Sequence, residues 1–158
     1  MAFVQGNIDF LNSLDPSYKD ELLTTKGKLQ PRYENQFRLL SGPYLNTEYM
    51  GLFVDENESK FESKKLRQAI NMAIDRKQMV KYLRNNIGYA AHNGFVPKGL
   101  QGSFPVKGYE YRPLEAKKWI ADYLKKSNKE TVSIQLATDA NYLDLCKFIQ
   151  QSLQKVGL

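Results

Sequence analysis

Cysteine and histidine are almost absent from this sequence, and each scarcity argues against a class of chemistry. The 158 residues contain one cysteine, Cys146, which cannot form an internal disulfide, and one histidine, His92. A Ser/His or Cys/His catalytic dyad would have to use that single histidine, and a metal site would lack a cluster of ligands. No G-x-G-x-x-G motif and no complete phosphate-binding loop occur. We therefore expect no catalytic residues, no metal, no cofactor and no enzymatic activity.

Long hydrophobic runs are also missing. No stretch of about 18 apolar residues occurs, so no segment is predicted to span a bilayer. The N-terminus lacks the basic, apolar and small-residue regions of a secretory signal, so we expect any export signal to have been removed or to lie outside this chain. The hydrophobic fraction of 42% and the charged fraction of 25% are ordinary for a globular protein. A chain of 158 residues has the size of one compact domain.

Positive charge is concentrated in the middle of the chain. The net charge is +6, but residues 60–129 hold 16 Lys/Arg against five acids, or +11, and the remaining residues sum to −5. Lysines on the outer faces of amphipathic helices give such a pattern. A basic nucleic-acid or polyanion-binding module gives it too, although no nucleic-acid-binding motif occurs. Both interpretations remain open at this stage.

Apolar spacing predicts several helices. One face repeats at i, i+3, i+4, i+7 and i+8 through Leu66, Ala69, Ile70, Ala73 and Ile74. Polar residues then interrupt that face, which predicts a break near Asp75, a residue able to cap a second helix together with Gln78. A further helix is predicted from Pro113, and a last one ends at Gly157 as its C-cap.

Three segments are predicted to be strands: Gln36–Leu40, Glu48–Val54 and Thr131–Ala137. The third alternates strictly, with Val132, Ile134 and Leu136 on one side, as a half-buried strand should. The chain stops soon after its capped last helix, without the strand that normally follows, and it starts on an apparent helix end. We therefore expect a domain cut from a longer protein.

The segment from Gly88 to Pro113 is unusual in composition. It contains five of the ten glycines and three of the six prolines, together with several hydrophobic side chains. A loop of this length in a compact domain often binds something, and the hydrophobic residues argue against disorder. We expect it to be ordered, extended and functional. His92 lies within it, where the imidazole could contact a ligand or simply be solvated.

Five segments in order resemble a known family. The segment 61–80, FESKKLRQAINMAIDRKQMV, resembles the F-x-D-x-x-V-R-x-A-I-x-x-A-I-D-R-x-x-I-V motif of extracytoplasmic solute-binding proteins of the peptide/nickel ABC-transporter class, family 5. The other four are similar to motifs of the same family: GNID at 6–9, GYAA followed by VPKGL between 88 and 100, YEYRPLEAKK at 109–118, and IQQSLQKVGL at 149–158. The resemblance spans nearly the whole chain.

The resemblance implies a fold and a function. The expected fold is a lobe of the type II (class C) periplasmic-binding-protein-like fold, an α/β lobe whose mixed sheet is flanked by helices, truncated at both ends. Residues 1–158 would be one domain, most of the second lobe of a two-lobed protein. That protein would capture peptides or similar small solutes outside the cytoplasm, in the periplasm or as a membrane-anchored lipoprotein, and deliver them to an ABC permease.

The long loop and the resemblance together suggest the ligand-binding residues, which we expect to be Tyr49, His92, Asn93 and Phe95. No nucleic acid is expected as a partner on this interpretation, and membrane contact would come only through the parent protein's anchor or permease. A homodimer through an exposed sheet edge is a further expectation.

Two departures from the family pattern concern helix caps. Ser63 stands where the family usually has Asp, and Arg112 replaces the Asp that precedes Pro113. The second change removes an expected N-cap, which is worth roughly 1 kcal/mol.

Overall fold

The fold is built from helices joined by long extended segments. The computed structural model describes residues 1–12, 14–42, 44–55, 60–92 and 94–158. Its α-helices are α1 (Lys19–Leu22), α2 (Lys64–Ala73), α3 (Arg76–Leu83), α4 (Pro113–Lys126) and α5 (Leu143–Gln154). Short 3₁₀ turns occur at Pro16–Tyr18, Pro31–Tyr33, Lys60–Glu62 and Ala140–Tyr142.

The predicted break between two central helices is confirmed. Helix α2 starts after Ser63, whose hydroxyl accepts a hydrogen bond from the main-chain N–H of Leu66 at 3.3 Å. Ser is as good an N-cap as the Asp it replaces, so this departure leaves the helix start intact. Helix α3 starts after Asp75, whose carboxylate accepts from the main-chain N–H of Gln78 at 3.0 Å.

The C-terminal cap of α5 is also confirmed. Gly157 has a φ of 97°, and its N–H donates to the carbonyl of Gln154 while the N–H of Leu158 donates to that of Leu153. This pair of bonds is the Schellman motif, in which glycine adopts the left-handed conformation without a steric penalty.

The main core lies where α2 crosses α4. Leu66 and Ile70 of α2 and Ile120 of α4 are at most 1% exposed. Ala69 and Ala116 are fully buried between them, and such small side chains let two helices approach closely. Helix α5 closes the cluster with Leu153, while Val156 follows just beyond its end.

A second, smaller apolar cluster lies near the N-terminus. Leu22, Leu23 and Tyr33 are buried there, with Phe37 packed against them. The segment after α3 joins this cluster to the rest of the protein, because the buried side chain of Asn85 donates to the main-chain carbonyl of Leu23 at 3.4 Å.

The predicted α/β architecture with a mixed sheet flanked by helices is wrong for the described residues. They contain no strand, and their one β-type pairing is an isolated antiparallel bridge between Leu23 and Leu29. The alternation within Thr131–Ala137 does show in burial, since Val132 is 8% exposed and Thr131 and Ser133 are exposed. One face of this segment packs inward, but no described segment pairs with it as a neighbouring strand. Its Ser133 carbonyl instead contacts the Lys60 ammonium group.

The sheet edge expected to support a homodimer therefore has no counterpart in the described part of the chain. Among the described helices, none has the length and apolar character needed to cross a membrane.

Candidate ligand-binding site

An exposed aromatic pair joins two segments that are far apart in sequence. The rings of Tyr49 and Phe95 meet edge to face, with centroids 5.0 Å apart and planes at 65°. Such a pair contributes about 0.5–1.5 kcal/mol beyond the area that it buries. Tyr49 is nevertheless 73% exposed and Phe95 62% exposed. Most of both rings thus remains available to a ligand.

Contacts of the two residues next to Tyr49, Glu48 and Met50, fix the position of the segment that carries it. The hydroxyl of Tyr142 donates to the Glu48 carboxylate at 3.2 Å, and Met50 packs against the main core. The negative charge of Glu48 disfavours a phenolate beside it and so raises the pKa of Tyr142. These contacts tie Tyr49 to the start of α5 and to the core.

A polar cavity of about 370 Å³ lies beside the N-terminal turn of α3. Its lining side chains are Lys77, His92, Glu110 and Tyr111. The volume is within the range of roughly 300–1,000 Å³ that is usual for small-molecule sites. The lining offers an ammonium group, a carboxylate, an imidazole and a phenol, which together can bind both an anionic and a cationic group of a ligand.

The orientation of the His92 ring leaves one nitrogen without a hydrogen-bond partner among the described residues. Nδ1 lies 3.4 Å from the main-chain carbonyl oxygen of Tyr109, and because a carbonyl oxygen only accepts, a hydrogen bond there requires the proton on Nδ1. Nε2 is buried and makes no hydrogen bond to the described residues. In the neutral ring Nε2 is then an acceptor, and a donor group of a ligand could satisfy it.

The wall of the cavity is fixed to α2 and α3 through Tyr109. Its hydroxyl accepts from the side-chain amide of Gln68 at 2.6 Å, and its carbonyl accepts from the Arg76 guanidinium at 3.4 Å. Arg76 also donates to the Asn71 side chain at 2.6 Å. Burial lowers the pKa of the Arg76 guanidinium, which still stays protonated.

Gly108 permits the close approach that places His92. A Cβ added at Gly108 would overlap the main-chain carbonyl of His92. Only a residue without a side chain fits at this crossing, where the two arms of the long loop meet.

The structure brings two of the predicted ligand-binding residues into contact, namely Tyr49 and Phe95. It places His92 in the polar cavity, and Asn93 lies outside the described residues. Lys77 and Glu110 were missed by the sequence reasoning, because a lysine on a helix and a glutamate in a loop look the same whether or not they line a cavity. Among the described residues, no group of three or more His, Cys, Asp and Glu side chains could hold a metal ion.

Comparison with known proteins places the chain in a family. Residues 1–158 match the model of the bacterial extracellular solute-binding proteins, family 5 Middle. The chain belongs to this family. This match confirms the resemblance seen in the five sequence motifs.

Two curated relatives are similar at 25% identity. The heme-binding protein A of Haemophilus influenzae aligns with 84% of this family 5 chain, and the oligopeptide-binding protein AppA of Bacillus subtilis aligns with 97% of it. These alignments cover 24% and 28% of the two relatives. The chain thus spans about a quarter of the length of each.

Proposed function

We propose that this chain is the part of an extracytoplasmic solute-binding protein that contacts a peptide or a similar small solute. The observation that carries the proposal is the Tyr49–Phe95 pair, two exposed rings brought together from separate segments. Exposed large aromatic rings in contact are a natural surface for the apolar side chains of a ligand. Membership of family 5 supports the same function.

The polar cavity suggests how the charged groups of a peptide would be bound. The Lys77 ammonium group can pair with a carboxylate, and the Glu110 carboxylate can pair with an ammonium group. The Nε2 of His92, which has no hydrogen-bond partner among the described residues, can accept a hydrogen bond from an N–H group of the ligand. One relative is named for oligopeptide binding and the other for heme binding. The two opposite charges of the cavity favour the peptide over a porphyrin for this chain.

The wider biological role is part of the same proposal. Residues 1–158 form a single domain that is most of the second lobe of a longer protein. The complete protein captures its solute outside the cytoplasm, in the periplasm or as an anchored lipoprotein, and passes it to an ABC permease. The share of each relative that this chain covers agrees with a part of a longer protein.

The proposal is tested by ligand-induced stabilisation of the full chain. A library of short peptides with free termini, the same peptides with blocked termini, and hemin are compared by thermal shift. We expect free-terminus peptides to raise the melting temperature, and blocked ones to raise it less, because stabilisation follows ligand affinity. The variants Tyr49→Ala and Phe95→Ala should each weaken binding about tenfold, as loss of an aromatic contact does.

A matched control tests whether binding depends on these two rings or on any exposed aromatic side chain. Tyr89 is 98% exposed, so Tyr89→Ala should leave binding unchanged. If hemin stabilises the chain and peptides do not, the solute is a porphyrin and not a peptide. If neither peptides nor hemin stabilise the chain, or if Tyr89→Ala weakens binding as much as Tyr49→Ala does, the proposed site is wrong.

A further inference from the structure

A second concave surface flanks the main core beside the contact between α2 and α4, and its aromatic residues Trp119 and Tyr123 pack in part against that core. It encloses about 310 Å³ between the start of α2 and the second half of α4. Its lining residues are Ser63, Lys65, Trp119, Asp122, Tyr123, Lys126 and Ser127. Trp119 is the single tryptophan of the sequence and packs only partly against the core. The floor of this surface is therefore aromatic and its rim is charged.

The charges on the rim are mainly positive. The Lys65 ammonium group lies over the Trp119 ring, 5.8 Å from its centroid, and Lys126 is exposed beside it. Lys118 and Lys125 are also exposed, and helical spacing places them on the next stripe of α4. We call these four lysines with Trp119 and Tyr123 the tryptophan face.

Among the described residues, the lysines of the tryptophan face outnumber the acids beside them. The ion pairs among the described residues involve Lys19, Arg84 and Arg112, and none of them includes a lysine of this face. Asp122 is the one acid among the described lining residues, and helical spacing places it within one turn of Lys118 and Lys126. Four lysines beside one acid leave a net positive surface, and such a surface attracts a polyanion.

We propose that the tryptophan face docks on the surface of a membrane that contains anionic phospholipids. The gradient from an aromatic floor to an ammonium rim matches the interface of a bilayer, where tryptophan sits at the level of the headgroups and lysine side chains reach outward to phosphate. A double-stranded nucleic acid could pair its phosphates with the lysines, but its stacked bases would leave the aromatic floor without a partner. This docking is separate from the solute site and uses four of the 16 Lys/Arg residues in the middle of the chain.

The experiment uses the fluorescence of Trp119 as a reporter located on the face itself. The full chain is titrated with phosphatidylcholine vesicles containing about one third phosphatidylglycerol, and with vesicles of phosphatidylcholine alone, at low and at high salt. We expect a blue shift of the emission and co-sedimentation only with the anionic vesicles, both lost at high salt. The double variant Lys65→Gln/Lys126→Gln should bind the anionic vesicles roughly 30-fold more weakly.

Matched lysines on another helix provide the control. Lys147 and Lys155 are exposed on and just after α5, and the variant Lys147→Gln/Lys155→Gln removes the same charge from another face. It should bind the vesicles within a few-fold of the unmodified chain. Unchanged thermal melting of both double variants shows that they are folded.

Several results would overturn the membrane proposal. One is equal weakening by the two double variants, since binding would then follow net charge alone. Another is sedimentation with the vesicles without a blue shift of Trp119, which would place the contact elsewhere. A third is tighter binding to heparin or a DNA oligonucleotide than to the anionic vesicles, which would make the face a site for a soluble polyanion.

Discussion

Replacement of Asn85 by alanine would test how the N-terminal cluster is joined to the helical core. Asn85 is 2% exposed, and its side chain makes three hydrogen bonds across the junction. The Oδ1 atom accepts from the Lys19 ammonium group at 3.2 Å, while Nδ2 donates to the Asp20 carboxylate at 3.1 Å and to the Leu23 carbonyl at 3.4 Å. Buried polar groups that lose such partners destabilise the folded state directly.

The stability lost in Asn85→Ala has two sources, the three hydrogen bonds and the backbone conformation at residue 85. Each hydrogen bond contributes about 0.5–1.5 kcal/mol net, so the three together contribute roughly 2–4 kcal/mol. Asn85 also has a φ of 47°, in the left-handed region that asparagine tolerates better than alanine does, and this adds about 1 kcal/mol. Because neighbours relax after a substitution, we expect Asn85→Ala to lower the free energy of unfolding by about 3 kcal/mol.

Asn128 separates the backbone contribution from the hydrogen bonds. Its φ of 51° is almost the same, but it is exposed and its side chain makes no hydrogen bond to the described residues. Asn128→Ala should therefore cost only about 1 kcal/mol. Urea unfolding followed by circular dichroism gives both values under the same conditions. If the two variants lose equal stability, the three bonds of Asn85 contribute nothing and the reasoning is refuted.

The same junction predicts a pH dependence. Hydrogen bonds from Lys19 and then from Asn85 hold the pKa of Asp20 below its usual value. A carboxyl group whose pKa is lower in the folded state than in the unfolded state stabilises the fold above its unfolded pKa of about 3.9, and this stability is lost as the pH falls through the folded value. In the Asn85→Ala variant the hydrogen bond from Asn85 no longer lowers the pKa of Asp20. The free energy of unfolding should therefore fall less steeply with decreasing pH than in the unmodified chain. An equally steep or steeper fall would contradict this coupling.

Three further predictions concern other parts of the fold. Arg112→Asp restores the missing N-cap of α4, where no side chain now caps the helix, and should raise the free energy of unfolding by about 1 kcal/mol in urea; a decrease would show that the cap is not needed. Gly108→Ala places a Cβ on the His92 carbonyl and should weaken peptide binding in calorimetry more than Gly42→Ala, where a Cβ meets open space and the backbone is not left-handed. Leu66→Ala should lower the unfolding free energy by about 2–5 kcal/mol, and a loss below 1 kcal/mol would mean the α2–α4 core is not close-packed.

The helices could be predicted from the sequence because their determinants are local. Ser63 and Asp75 lie three residues from the N–H groups that they cap, and Gly157 lies three residues from Gln154, whose carbonyl accepts its N–H. The apolar spacing of α2 depends only on the pitch of a helix. The effect of Arg112 was also visible in advance, because an N-cap position requires a side chain that accepts a hydrogen bond.

The ligand-binding site could be predicted only in part. The long loop was recognisable by its glycines and prolines, and both Phe95 and His92 lie on it. The contact between Phe95 and Tyr49 joins residues 46 positions apart, and only the folded chain brings them together. Lys77 and Glu110 carried no signal of their own, since the chemistry of a charged side chain is the same on an open surface and in a cavity.

The wrong prediction of a sheet has a physical cause that the segment 131–137 shows clearly. A period of two in hydrophobicity requires an extended backbone with one buried side, and Val132 and Ile134 satisfy that requirement by packing inward. A sheet requires in addition a second extended segment whose N–H and carbonyl groups face the first one at hydrogen-bonding distance. Nothing in the alternation specifies that partner. Period two is therefore evidence for an extended, half-buried segment, and evidence for a sheet only where a pairing segment can be identified as well.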